Sequence, residues 1–302
     1  MRYQYLTVDV FTHERFGGNQ LAVLPDAEGL TSELMTKIAV EFNYPETTFV
    51  LPPEEDGHTR RVRIFTPGGE IPFAGHPNVG TAFVLATRGD IQPDGDETRV
   101  IFGENAGPVP VTIRFVEGRP QYCELTAPQP LSLGPQYSAA AVAGCVGLGD
   151  ADILCHSHTP ITASVGLPFL FVELGDRHAL ARSFVRRDHF AELLPTAAAT
   201  GVHLYTKDVG DLEVDMRARM YAPFAGVPED PATGSANCAL AGLLAYLHEE
   251  RDYTFTWRIA QGIEMGRPSL LDATANKHAG DVDTTRIGGA CVSVAEGSIQ
   301  VA

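Results

Sequence analysis

The segments 76–82, HPNVGTA, and 230–236, DPATGSA, share one form: an ionisable residue, then Pro-x-x-Gly-[Thr/Ser]-Ala. They lie 154 positions apart in a chain of 302 residues. Upstream of each stands a second shared element. Arg63-Ile64-Phe65-Thr66-Pro67 and Arg219-Met220-Tyr221-Ala222-Pro223 both read R-x-[FY]-x-P, 13 and 11 residues ahead of the motif. One such match arises by chance. Two in the same order predict an internal duplication, which restricts the fold to architectures built from two similar halves.

The local signals run in the same order through both halves. Residues 4–11 and 20–25 read as strands around the Gly17-Gly18 turn. TSELMTKIAVEF at 31–42 sets Leu34, Ile38 and Phe42 on one helical face, with Thr31 or Ser32 as its cap. The strands TTFVLP and RRVRIFTP follow, then a helix from about Asn78 to Thr87, then β-like runs to about Leu125. The second half repeats this with the strand GLPFLFVEL, a helical stretch from about Ala179 to Leu194, the strands GVHLYTK and VDMRARMYAP, a helix after DPATGS, and β-like runs to the end. The expected division is an N-terminal lobe, 1–127, and a C-terminal lobe, 128–302. The Pro-, Gly- and Ser-rich stretch 127–138 links them, and the last strand is a candidate to cross back to the first lobe.

Charge narrows the function. A formal net charge of −16 repels nucleic acid and anionic lipid, so neither is an expected partner. No apolar run approaches the roughly 20 residues that span a bilayer. The N-terminal MRYQYLTVDVF lacks the apolar core and cleavage site of an export signal, and the five cysteines are odd in number and widely spaced. The expected location is therefore cytoplasmic. The same acidic surface attracts no anionic small molecule from a distance, so an acidic substrate needs local recognition.

The repeated motif offers it. Each Gly-[Thr/Ser]-Ala is expected at a helix start, where about four backbone N–H groups lack partners and roughly half a positive charge accumulates. Two such ends facing one cleft would hold a small carboxylate without lysine or arginine. His76 heads one copy and Asp230 the other, which together make a proton-handling pair; a capping role for Asp230 and a core role for His76 stay open beside that reading. Glu46, in FNYPETTFV, stands where a helix meets an apolar strand. Partial desolvation there would raise its pKa toward that of a base; an exposed Glu46 would have no such role.

The segments DVFT, GGNQLAVLPDA, ETTFV, RIFTP, PFAGHP, DPATGSA and QGIEMGRPS, in that order over nearly the whole chain, resemble the phenazine-biosynthesis PhzF-like family. The resemblance implies an α+β, diaminopimelate-epimerase-like fold: two pseudo-symmetric lobes, each a mixed sheet around a central helix. It implies an isomerase that needs no cofactor and no metal and acts as a homodimer on a small carboxylic acid. Glu46 matches the glutamate that abstracts a carbon-bound proton, and His76, Asp230 and Ser235 match the other catalytic positions. Asn19, Gly75, Thr233 and Gly234, with backbone groups, match the substrate-holding positions. Two departures bear on substrate identity: Pro45 stands where the family often has serine, and Gln20 where it has proline. The thiol pair of the related racemases is missing, since Ala74-Gly75 and Ala232-Thr233 stand before the two helices and Cys238 lies deeper in the second. Cys155-His156-Ser157-His158 lacks the second ligand pair of a zinc site. No phosphate-binding glycine motif and no nucleophile elbow is present. The expected function is thus a proton-moving isomerase, with a non-catalytic metabolite-binding protein or an epimerase as alternatives.

Overall fold

RYQYLTVDV opens the chain as β1 (Arg2–Val10), whose last four residues are buried. The computed structural model describes residues 1–224 and 227–301, and two units emerge from it: Met1–Pro128 with Ile287–Ala302, and Gln129–Arg286. In the first unit β1 is followed by β2 (Asn19–Leu24), α1 (Ser32–Phe42), β3 (Glu46–Leu51), β4 (Arg60–Thr66), β5 (Gly69–Ile71), α2 (Gly75–Arg88), β6 (Glu97–Glu104), β7 (Gly107–Val116) and β8 (Arg119–Thr126). Strand β2 runs antiparallel to β1 and parallel to β3. Strand β4 runs antiparallel to β3 and β5 and parallel to β6, and β7 joins β6 to β8.

Helix α2 is buried from Gly75 to Ala86 on every side. Its middle, Val79–Ala86, is apolar but for Thr81, and α2 packs against β1, β2, β3, β7 and β8. Helix α1 buries a single face, Met35, Ile38 and Ala39, and stays outside that ring. Thr31 Oγ1 caps it by accepting from Leu34 N, and Asn43 ends it in the left-handed region at φ 52°.

The second unit comprises β9 (Ser132–Gln136), α3 (Ala139–Cys145), β10 (Ile153–Leu154), β11 (Ile161–Ser164), β12 (Pro168–Leu174), α4 (Arg177–Arg182), α5 (Arg187–Ala197), β13 (Gly201–Thr206), β14 (Met216–Ala222), β15 (Val227–Asp230), α6 (Gly234–Leu247), β16 (Tyr253–Gln261), β17 (Ser269–His278) and β18 (Asp281–Gly289), the last running past its boundary. Its pairings reproduce those of the first unit: β11–β12 antiparallel, β12–β13 parallel, β13–β14 and β14–β15 antiparallel, β14–β16 parallel, β16–β17 antiparallel. Helix α6 is the buried counterpart of α2 and packs on β11, β12, β16 and β17. The C-terminal strand β19 (Cys291–Gln300) belongs to the first unit, where it pairs antiparallel with β1.

Two expectations need correction. The helix expected over 179–194 is two helices, broken at Ser183, whose ψ is 147°. Arg219 Nη1 donates to the carbonyls of Leu180, Ala181 and Ser183, and the Ser183 hydroxyl meets Tyr221 Oη at 2.8 Å. These contacts satisfy the last turn of α4 and replace the bonds a continuous helix would make.

The second correction concerns the register of the duplication. Ile64 pairs with Ile71 and Phe65 with Glu70; Met220 pairs with Asp230 and Tyr221 with Glu229. The structural counterpart of Asp230 is therefore Ile71, and that of Ser235 is His76, an offset of 159 residues rather than 154. Gly80-Thr81-Ala82 lies inside α2, which starts at Gly75, whereas Gly234 does start α6. In this register the chain reads E-x-P-x-x-G-x-x-N at both 70–78 and 229–237. The side chains confirm it. Arg63 Nε and Nη2 clamp Glu70 at 2.7 and 2.6 Å, and Arg219 Nε and Nη2 clamp Glu229 at 2.7 and 2.9 Å. Asn78 Nδ2 donates to Ala74 O at 2.8 Å, and Asn237 Nδ2 to Thr233 O at 3.0 Å.

Candidate active site

In the first unit three elements converge. Strand β2 begins at Asn19, strand β3 at Glu46 and helix α2 at Gly75, with His76 the second residue of its first turn. Pro45 favours extended backbone in the residue before it and leads from the left-handed Asn43 into β3. The parallel pairing of Leu21 with Glu46 sets Glu46 at the same end of the sheet as Asn19. Asn19 Nδ2 lies 3.1 Å from His76 Nδ1, and His76 Nε2 lies 3.4 Å from Glu46 Oε2. Asn19 and His76 are buried, while the Glu46 side chain keeps 16% of its surface exposed. The only partly reachable member of the row is thus a carboxylate, which suits a group that must meet a ligand.

Burial lowers the His76 pKa to about 3, against a smaller upward pull from the Gln20 backbone. The imidazole is neutral at physiological pH, so its contact with Glu46 is a polar contact and not an ion pair. Helix α2 starts without a side-chain cap at Ala74, and Pro77 contributes no N–H. The first-turn donors are consequently the backbone amides of Gly75 and His76, backed by the helix dipole.

The second unit builds a different start. Asp230 ends β15 and is buried; Thr233 Oγ1 donates to Asp230 Oδ2 at 2.6 Å. Thr233 so engaged gives α6 no side-chain cap, and Gly234 and Ser235 open the helix. The Glu46 position is occupied by Gly201, which starts β13 opposite Phe169 as Glu46 starts β3 opposite Leu21. The two halves therefore share a frame and have diverged in chemistry. Asn19, Glu46, Gly75 and His76 gather in the first unit, and Asp230, Thr233, Gly234 and Ser235 in the second. Sequence reasoning passed over Gln261, which holds the second start. Its Oε1 accepts from Asn237 Nδ2 at 2.7 Å and from Thr233 N at 3.2 Å, and its Nε2 donates to Asp230 O at 2.8 Å. The E-x-P-x-x-G-x-x-N repeat was the signal that could have drawn attention to Asn237.

Among the described residues no group of three or more His, Cys, Asp or Glu is placed to hold a metal ion. His158, from the Cys-His-Ser-His run, instead meets Tyr205 Oη at 2.8 Å through Nε2. No helix among the described residues is long and apolar enough to cross a membrane.

Residues 8–297 match the family described as phenazine biosynthesis-like protein. The chain is 36% identical over 300 residues to an uncharacterized isomerase of Mesorhizobium japonicum, covering 98% of each chain. It is 33% identical over 308 residues to trans-2,3-dihydro-3-hydroxyanthranilate isomerase of Pseudomonas aeruginosa, again covering 98% of each. A crystal structure of a PhzF-family phenazine biosynthesis protein from Bacillus anthracis superposes with a TM-score of 0.88 at 25% identity, covering 100% of both chains.

Proposed function

Since the chain belongs to the phenazine biosynthesis-like protein family, whose relatives here are named isomerases, we propose that it moves a carbon-bound proton on a small carboxylic acid with Glu46 as general base. The observation that carries this reading is the Asn19–His76–Glu46 row, 3.1 and 3.4 Å between neighbours, ending in a largely covered carboxylate at the end of the sheet where α2 starts uncapped. The substrate carboxylate would be bound by the Gly75 and His76 amides at the uncapped start of α2. Glu46 would accept the proton from carbon. A histidine whose pKa lies near 3 does not take that proton on as imidazolium. In this reading Glu46 holds the proton and returns it to a second carbon, provided that water is kept out. In this scheme His76 orients Glu46 and does not store charge. The reading also expects a homodimer in the cytoplasm, which sedimentation and fractionation would check.

The experiment is a screen of carboxylic-acid metabolites in heavy water, trans-2,3-dihydro-3-hydroxyanthranilate among them, scoring deuterium incorporation by mass spectrometry. Glu46→Gln should lower turnover about 10²- to 10⁴-fold, the usual share of a general base, and leave ligand binding nearly intact. Near-normal turnover in that variant removes Glu46 from the mechanism. Binding without any exchange would favour a metabolite-binding protein instead.

A further inference from the structure

The corrected register places one more residue at the first helix start. Strands β4 and β6 run parallel, with Arg61 opposite Gly103; β14 and β16 do the same, with Arg217 opposite Ala260. The next residue is Glu104 in one unit and Gln261 in the other, and each ends its strand. Both are buried. Gln261 ties Asp230, Thr233 and Asn237 together at the start of α6. The counterparts of those three are Ile71, Ala74 and Asn78; Asn78 Nδ2 is held by Ala74 O, and Asn78 Oδ1 and both Glu104 oxygens are buried with no hydrogen-bond partner among the described residues.

An amide and a protonated carboxyl group have nearly the same shape, and each offers a carbonyl acceptor and a donor. An ionised carboxylate offers acceptors alone. Both Glu104 oxygens are shut off from solvent, so an ionised form would be desolvated there. Arg61, on the neighbouring strand, makes its direct contacts elsewhere: Nε faces Glu54 Oε2 at 3.2 Å and Nη1 donates to Gly103 O at 2.9 Å. Glu54, Glu55, His58 and Arg61 are the ionisable residues that line the adjoining cavity together with Glu104. Burial raises the Glu104 pKa well above the ordinary carboxyl range, and Asn78 and Arg61 offset only part of that rise.

We propose that Glu104 is a positioning residue that works as a neutral carboxylic acid, the first unit's counterpart of the Gln261 amide, and that it fixes the start of α2 from which His76 faces Glu46. The proposal rests on the role given above to Glu46 and His76, and its test does not depend on turnover. Wild type, Glu104→Gln and Glu104→Ala are compared by infrared spectroscopy and by nitrogen NMR of labelled histidine. At neutral pH the wild type should show a carboxylic-acid carbonyl band, sensitive to heavy water, that Glu104→Gln lacks. The His76 ring signals should move in Glu104→Ala and return to their wild-type positions in Glu104→Gln. Absence of the band, or His76 signals displaced in Glu104→Gln as far as in Glu104→Ala, overturns the proposal. Should Glu104→Ala not fold, the band and the Glu104→Gln spectrum still decide. A failure of the Glu46 assignment looks different: Glu46→Gln stays active while the band and the recovered His76 signals persist.

Discussion

Replacing Glu104 by glutamine should change how stability depends on pH, and the size of the change follows from proton counting. In the folded wild type Glu104 keeps its proton above the pH at which the unfolded chain, with a carboxyl near 4.5, has lost it. The folded state then binds one more proton than the unfolded state. Its contribution to stability is present below the unfolded value and is lost as pH rises, at about 1.4 kcal/mol per unit. Glu104→Gln has no such proton. Above the unfolded value the variant should therefore gain on wild type by about 1.4 kcal/mol per unit of pH for as long as the folded Glu104 keeps its proton. The remaining carboxylates and the histidines are common to both proteins and cancel in the difference. Urea denaturation of the two proteins in parallel across that range measures it. A stability difference that stays flat with pH would refute the reasoning, because it would mean that Glu104 is ionised in the folded state.

Other outcomes follow from the same structure. His76 and His203 are fully buried with pKa values lowered to about 3 by desolvation. The unfolded chain binds their protons first, so stability is complete above about 6.5 and falls as pH drops toward 3. Each histidine should remove about 1 kcal/mol between about pH 6.5 and 5.5, and His203→Gln should flatten the acid limb of a denaturation series by one histidine's share. Gly80 sits in the middle of α2 with room for no side chain: a Cβ there would meet Leu21 Cδ2 at 2.6 Å and Val10 Cγ2 at 2.7 Å. Gly80→Ala should destabilise by roughly 1–3 kcal/mol through overpacking, despite the ~1 kcal/mol gained in helix propensity, which a shift in denaturation midpoint would register.

Much of this organisation was legible beforehand. The R-x-[FY]-x-P repeats mark equivalent strands, β4 and β14, because the arginine of each must reach across a hairpin to an acid, Glu70 or Glu229. The strand after each helix was readable from its apolar run. The pairing of the helix starts was misread because Gly-[Thr/Ser]-Ala looks alike inside a buried helix and at its beginning. Small residues serve close packing at Gly80 and open a helix at Gly234, and a string of letters does not separate the two uses. The break at Ser183 was hidden because its cause, Arg219, lies 36 positions away in sequence.

The sequence by itself established a duplicated α+β chain with an acid at 46, a histidine at 76 and a polar helix start near 234, since local propensity and short motifs encode those directly. Tertiary structure alone decided which positions are equivalent. Strand register is set by pairing between distant segments, and that register makes His76 the positional counterpart of Ser235, leaves Gly201 where Glu46 would be, and brings Glu104 to the place of Gln261.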